Sequence, residues 1–170
     1  AKTTREPFET TKEIDLPELI RYGKSKNVGI ILWLPWPTVD AHIDNIFAKY
    51  AEWGVKGVKI DFMDRQDQWM VNYYERVVKE AAKHHILVDF HGAYKPSGLE
   101  IRYPNLLSYE GVRGLEFNDW VDPENSIYQP FIRNAVGPMD FTPGAMSSAQ
   151  PEHVKNTDPV PMTAGTRSYH

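Results

Sequence analysis

The sequence contains no cysteine among its 170 residues. This absence excludes a disulfide framework and a thiolate metal site, and it leaves the redox compartment open. Long hydrophobic runs are also absent: the longest, residues 28–37, is too short to span a bilayer, so no membrane partner is predicted. The net charge of −4, without a long basic run, argues against a nucleic acid partner, because phosphate binding needs clustered lysine and arginine.

The sequence is instead that of a globular chain, with 41% hydrophobic and 12% aromatic residues, long enough for one core. Short apolar runs alternate with segments of helical periodicity, which predicts a parallel sheet. Helices are predicted at 16–26 (with Asp15 as N-cap and Pro17 in the first turn), 39–53 and 66–84, and strands at 28–36, 54–61 and 85–91.

After Gly92 the pattern changes. Residues 94–103 are predicted to form a loop and 106–117 a strand-like segment. From residue 119 onward Pro, Asn, Ser and Gly dominate, an ordered loop is expected at 137–144, and the last twenty residues are predicted to be irregular. Four or five strands are recognisable in total, whereas a closed (β/α)₈ barrel has eight and typically about 250 residues. The predicted fold is therefore an α/β fold that forms part of a (β/α)₈ TIM barrel.

Chemistry-bearing residues lie where the predicted strands end. Lys59 and Asp61 end the strand at 54–61 and point to the same side of it, because side chains alternate along a strand. Active-site residues collect at the C-terminal ends of the strands in such folds. The alternative is that Lys59 and Asp61 form a structural ion pair.

A second carboxylate, Glu116, follows 55 residues after Asp61, about two βα units along. A pair of carboxylates facing each other across a barrel mouth suits glycoside hydrolysis, with a nucleophile and an acid/base in retaining enzymes. The alternative is that Glu110 and Glu116 are loop acids satisfied by Arg113.

Aromatic residues near the predicted strand ends also favour a sugar substrate. Trp33 and Trp36 could stack on a pyranose ring, and His91 adds a polar donor at the same edge. The alternatives are that these indoles belong to the core and that His91 is a hydrogen-bonded core histidine.

Several motifs together resemble glycoside hydrolase family 97. They are Lys59-Ile60-Asp61-Phe62-Met63-Asp64-Arg65, Asp89-Phe90-His91-Gly92-Ala93-Tyr94-Lys95-Pro96, Tyr103-Pro104-Asn105, Glu110 with Arg113-Gly114-Leu115-Glu116, and Met139-Asp140-Phe141-Thr142-Pro143-Gly144. The resemblance implies a catalytic (β/α)₈ barrel that cleaves α-linked glucosides or galactosides with a calcium ion in the site. Residues 1–170 would then form a single partial catalytic domain, without the family's flanking β-domains, and the location would be periplasmic or secreted.

The resemblance also distinguishes two mechanistic branches. Inverting α-glucosidases of the family lack the strand-end aspartate, which is present here as Asp61. They carry a glutamate directly after the histidine, and this sequence has Gly92 at that position. The sequence is therefore similar to the retaining branch, whose characterised activity is that of an α-galactosidase. By resemblance Asp61 is the nucleophile and Glu116 the acid/base. Glu110 and Glu116 are the implied calcium ligands, with at least one more ligand from the family's N-terminal domain, and the expected substrate contacts are Trp33, Trp36, Lys59, His91, Arg113 and Asp140.

Three alternatives remain open at this point. One is an α-glucosidase of the same family. Another is an enolase-type lyase or isomerase, in which Asp61, Asp89 and Glu110 would hold magnesium. The third is an inactive sugar-binding fragment. A partial barrel is also expected to expose sheet edges through which copies of the chain could associate.

Overall fold

The computed structural model describes residues 6–10, 12–117, 123–144, 147–149 and 162–164. Within them four parallel strands form one sheet in the order β1-β2-β3-β4: β1 (Ile31–Pro35), β2 (Gly57–Asp61), β3 (Leu87–Phe90) and β4 (Leu106–Tyr109). The helices are α1 (Leu16–Ser25), α2 (Trp36–Ala41), α3 (Ile46–Trp53), α4 (Gln68–Lys83), α5 (Leu99–Arg102) and α6 (Pro123–Ile132). Strands β5 (Ser147–Ala149) and β6 (Met162–Ala164) pair separately. The alternation of strands and helices confirms the predicted α/β class, with a sheet that covers part of a barrel.

Local sequence signals explain where several helices begin and end. Asp15 accepts a hydrogen bond from the backbone N–H of Glu18 at 3.0 Å and so caps α1. Asp67 caps α4 in the same way, through the N–H of Met70 at 3.1 Å. Gly54 ends α3 in the left-handed conformation, with φ at 91°, which a residue without a Cβ adopts at little cost.

The core lies between the sheet and its helices. Helix α4 buries one face with helical spacing, and the Tyr74 ring lies 4.5 Å from that of Phe90 on β3. The sheet contributes side chains that alternate along its strands and pack in the same core as α4: Leu34, Val58, Ile60, Val88 and Phe90. No helix in the described ranges is long and apolar enough to cross a membrane.

The opposite face of the sheet carries a polar row near the C-terminal ends of the strands. The register aligns Trp33 with Lys59, Lys59 with Asp89, and Asp89 with Ser108 on neighbouring strands. Because side chains alternate, these residues share the face that does not pack on the helices. The sheet thus presents a row of polar groups, while β1 and β4 are its outermost described strands.

Four predicted elements differ from the structure. The predicted helix at 39–53 is two helices, α2 and α3, because the turn-forming pair Asp44-Asn45 lies in the turn between them. The predicted strand-like segment at 106–117 ends at Tyr109, and a 3₁₀ helix follows at Leu115–Phe117. The predicted loop at 94–103 contains α5, and the last twenty residues, predicted to be irregular, contain β6; α6 and β5 lie in a segment for which no element was predicted. In α6 the helix retains Pro130 in its interior, a residue that usually argues against one.

Candidate active site

The C-terminal ends of β2, β3 and β4 bring three ionisable side chains to one edge of the sheet. Asp61 is the last residue of β2, and His91 and Glu110 directly follow β3 and β4. The backbone N–H of Asp140 donates to the carbonyl of Tyr109 at 3.0 Å, so the segment around Asp140 runs beside the end of β4. Topology therefore collects residues that lie up to 79 positions apart in the sequence.

Both carboxylate oxygens of Asp61 are held by donors. The indole Nε1–H of Trp33 donates to Oδ2 at 2.8 Å, and the backbone N–H of Phe62 donates to Oδ1 at 2.6 Å. Phe62 adopts a left-handed φ of 62°, uncommon for a residue with a side chain. This combination fixes the orientation of Asp61.

Lys59 does not pair with Asp61, so the alternative of a Lys59–Asp61 ion pair is wrong. Its Nζ instead lies 3.4 Å from Oδ2 of Asp140. Lys59 and Asp140, both predicted substrate contacts, are thus paired with each other.

His91 is buried at the centre of a cluster of carboxylates. Its Nε2 hydrogen-bonds Oδ2 of Asp140 and lies 3.7 Å from Oδ2 of Asp89, while its Nδ1 lies 3.6 Å from Oε2 of Glu110. Burial opposes protonation of the imidazole, but the hydrogen bond to Asp140 and the other carboxylates raise its pKa. The same hydrogen bond holds the pKa of Asp140 well below its usual range.

The pKa of Asp89 is shifted in the opposite direction to that of Asp140. Burial raises its pKa to about 7, and hydrogen bonding to the charged Asp140 adds to the shift. Near neutral pH Asp89 is therefore partly a neutral carboxylic acid that shares a proton with this network.

Ligand atoms of Asp89, His91 and Asp140 all lie within 4.8 Å of one another, so these residues form a group that could hold a metal ion. The ammonium of Lys59 already reaches Asp140 in the same group.

Glu110 is a buried carboxylate next to this cluster. Its Oε2 accepts a hydrogen bond from the backbone N–H of Gly92 at 2.6 Å. Burial raises its pKa, the hydrogen bond to Gly92 and the charge of His91 lower it, and the charges of Glu116 and Asp61 raise it further. Glu116 and Asp61 are thus each close enough to Glu110 for their charges to act on it.

Gly92 packs tightly against the loop that carries Asp61. It has a φ of 55°, and a Cβ at this position would lie 3.1 Å from the Cα of Phe62 and 3.2 Å from the N of Met63. The carbonyl of Gly92 accepts a hydrogen bond from the N–H of Asp64 at 3.0 Å. The ends of β2 and β3 are therefore joined by backbone contacts that are tight for any side chain at position 92.

Arg133, which was not predicted as a site residue, holds the two segments that carry Glu110 and Asp140. Its side chain is buried, and its guanidinium donates to five backbone carbonyls, at 3.0 to 3.3 Å, in the segments that carry Glu110 and Asp140: those of Tyr109, Glu110, Gly111, Gly137 and Pro138. No local pattern distinguishes a buried arginine of this kind from an exposed one, since its partners are carbonyls that every residue has.

The other predicted site residues lie in the 3₁₀ helix at Leu115–Phe117, in the loop before it and at the start of α2. Glu116 is exposed in the 3₁₀ helix, which is held where the N–H of Leu115 donates to the carbonyl of Thr142 at 2.8 Å. Arg113 lies exposed in the preceding loop. Trp36 begins α2 and packs its ring on Trp69 and Tyr73 of α4, not on the carboxylates. The roles of all these residues remain predictions.

A histidine among carboxylates at the C-terminal edge of a parallel sheet lies where α/β-barrel folds place their active sites. The particular family follows from sequence similarity. The profile of the family Glycoside hydrolase 97 matches residues 1–112, and the chain belongs to this family. Membership of a glycoside hydrolase family argues against the enolase-type alternative.

Two curated relatives carry related names. The retaining alpha-galactosidase of Bacteroides thetaiotaomicron is 45% identical over 165 residues, which cover 94% of this chain and 25% of that protein. The probable retaining alpha-galactosidase of Streptomyces bingchenggensis is 38% identical over 137 residues, covering 79% of this chain and 21% of that protein. The chain thus spans about a quarter of the length of the relatives it matches.

Solved structures of the family agree with the fold. A Glycoside Hydrolase Family 97 enzyme from Pseudoalteromonas sp. strain K8, in complex with panose, superposes with a TM-score of 0.73 at 30% identity, over 84% of this chain and 25% of that one. A beta-arabinopyranosidase gives a TM-score of 0.69 at 30% identity, over 77% of this chain and 24% of that one.

Proposed function

We propose that this chain carries the catalytic centre of a retaining α-galactosidase, with Asp61 as nucleophile and Glu116 as acid/base. The observation that carries the proposal is the carboxylate of Asp61, which ends β2 with both oxygens held and which shares the site with Glu116 and Glu110. The names of the two curated relatives favour a galactoside over a glucoside.

The reaction proceeds in two displacements. In the first, an oxygen of Asp61 attacks the anomeric carbon and forms an ester bond, while the glycosidic bond breaks and its oxygen takes the proton of Glu116. In the second, water attacks the same carbon and gives its proton to Glu116 as the ester bond breaks and its electron pair returns to Asp61. Two inversions at one carbon give net retention of configuration.

The surrounding polar groups suit the binding of a galactosyl unit. Lys59, His91 and Asp140 form a connected network beside Asp61, with both donors and acceptors for sugar hydroxyls. The tight packing of Gly92 on the Asp61 loop supports the retaining branch, because the position that carries a glutamate in inverting relatives has a left-handed backbone and close neighbours here.

Calcium is the metal we propose for the site, with Glu110 and Glu116 as ligands from this chain. The fit rests on the donor set: burial raises the pKa of Glu110, the nearby charge of Glu116 raises it further, and two such carboxylates suit a hard divalent cation that prefers oxygen ligands. When bound, the ion would polarise a sugar oxygen. Thermal unfolding and turnover with calcium and with EDTA test this assignment, and a Glu110→Gln variant that keeps the calcium response of the wild type would contradict it.

Azide rescue tests the nucleophile. Asp61→Gly should lose turnover of an aryl α-galactoside, and azide should restore it by forming the β-galactosyl azide, since azide then attacks from the side that Asp61 occupied. Glu116→Ala should instead give the α-galactosyl azide, because azide attacks the intermediate from the opposite side. Normal turnover by folded Asp61→Gly would refute the assignment.

A further inference from the structure

We propose that Trp33 is a positioning residue for Asp61, whose indole N–H fixes the plane of the nucleophilic carboxylate. This inference rests on the proposed function, because it assigns Trp33 to the same reaction. It replaces the simpler expectation that Trp33 contacts the sugar, and it starts from the 2.8 Å hydrogen bond between Nε1 of Trp33 and Oδ2 of Asp61.

The side chain of an aspartate does not fix its own carboxylate. The final torsion of Asp is broad and roughly two-fold, so the plane of the oxygens turns freely unless partners hold it. In this site each oxygen has one partner: the backbone N–H of Phe62 at Oδ1 and the indole of Trp33 at Oδ2. Removing either donor frees the plane, and only the indole can be removed by changing a side chain.

Neighbouring charges do not take over this role. Lys59 lies beside Asp61 on β2, but its ammonium is directed at Asp140. The Trp33 ring is itself kept in place by Phe62, whose ring meets it edge-on at a centroid distance of 5.5 Å and an interplanar angle of 84°. Phe62 therefore holds the nucleophile twice, through its own N–H and through the indole.

The indole nitrogen of Trp33 already has a hydrogen-bond acceptor in Asp61. Trp33 is half exposed, as expected of a residue at a substrate cleft, yet its single donor is used by the carboxylate and is not free for a sugar hydroxyl. Its effect on catalysis should accordingly appear in the rate of attack and not in the affinity for the sugar.

The first test is Trp33→Phe, assayed with p-nitrophenyl α-galactoside. The variant keeps an aromatic ring and loses the donor, so kcat should fall roughly 10- to 100-fold, the range that a hydrogen bond to a charged group supports, with KM little changed. Trp53→Phe is the matched control, because Trp53 stacks on Tyr50 at the end of α3 and has no hydrogen bond to Asp61. A wild-type kcat, or a rise in KM alone, would overturn the proposal.

The second test asks whether Trp33 acts through Asp61. In an Asp61→Gly background rescued by azide, adding Trp33→Phe should leave the rescued rate unchanged, because the group that the indole orients is gone. If the double variant loses the same factor as Trp33→Phe alone, the indole acts on the sugar and the proposal is wrong.

A third measurement separates this inference from the proposed function. In ¹H–¹⁵N spectra of the chain, the indole resonance of Trp33, assigned with Trp33→Phe, should move in Asp61→Gly while that of Trp53 stays in place. The shift is expected whether or not the chain turns over a galactoside, so a chain without turnover would show that residues 1–170 are not sufficient for catalysis and would leave the contact standing. An unmoved Trp33 resonance would refute the positioning contact.

Discussion

Replacing Gly92 with alanine should both destabilise the chain and disturb Asp61. The backbone φ of 55° costs an L-residue about 1–2 kcal/mol. The new Cβ would also lie 3.0 Å from Oδ1 of Asp64 and 3.1 Å from the Cα of Phe62, and overpacking of this kind adds about 1–3 kcal/mol. The expected loss is therefore about 3 kcal/mol.

Gly98 is the matched control for this prediction. Its φ of 95° is also left-handed, but an added Cβ would meet nothing within 4 Å. Gly98→Ala should therefore cost only the backbone strain, about 1–2 kcal/mol. Both variants lower the entropy of the unfolded chain equally, and a φ of 95° strains an alanine at least as much as one of 55°, so any greater loss in Gly92→Ala reports the contact of Gly92 with the Asp61 loop.

Urea unfolding followed by circular dichroism measures this difference, and turnover of an aryl α-galactoside reports the position of Asp61. Gly92→Ala should be less stable than Gly98→Ala by about 1.5 kcal/mol and should lose far more activity. Equal stability losses would show that the ends of β2 and β3 are not packed as described, and would refute the argument that this position is tight for a side chain.

Two further predictions concern groups near the site. Arg133→Lys should destabilise the chain by about 2–4 kcal/mol in urea unfolding, because an ammonium with three donors cannot satisfy five carbonyls. Arg102→Lys, at an exposed position, is the control and should change stability by less than about 0.5 kcal/mol. A similar loss in both variants would contradict the anchoring role of Arg133. Asp89 keeps a proton in the native state up to a pKa of about 7 that the unfolded chain loses near its ordinary value of about 4, so stability should fall as pH rises between these values. Asp89→Asn should flatten this fall in melting temperature from pH 5 to 7, and a fall as steep as that of the wild type would contradict the assignment to Asp89.

Local signals in the sequence predict the first half of the fold well. The apolar spacing of α4, the aspartates that cap α1 and α4, and Gly54 at the end of α3 each act over one or two helical turns. The alternation of strand and helix then determines the parallel sheet. Elements decided by tertiary contacts were missed: α6 forms with an internal proline, and Arg133 at its end is anchored to distant carbonyls.

The residues that make up the candidate site could be predicted, but the contacts between them could not. The ends of β2, β3 and β4 follow from the strand pattern, so Asp61, His91 and Glu110 were recognisable. Which groups contact which depends on register and loop geometry, and spacing left open a Lys59–Asp61 ion pair that the structure contradicts. Its partner, Asp140, lies 81 positions along the chain, where no short-range pattern connects the two.

The stereochemistry of the first product tests the central claim most directly. An aryl α-galactoside and the matching α-glucoside would be hydrolysed by this chain, with calcium and with EDTA, while proton NMR follows the anomer of the sugar as it is released. The account predicts that the galactoside is cleaved and that α-galactose appears first and then mutarotates. β-Galactose as the first product would show inversion and contradict Asp61 as nucleophile, and no cleavage of either substrate by a folded sample would show that residues 1–170 are not sufficient for catalysis.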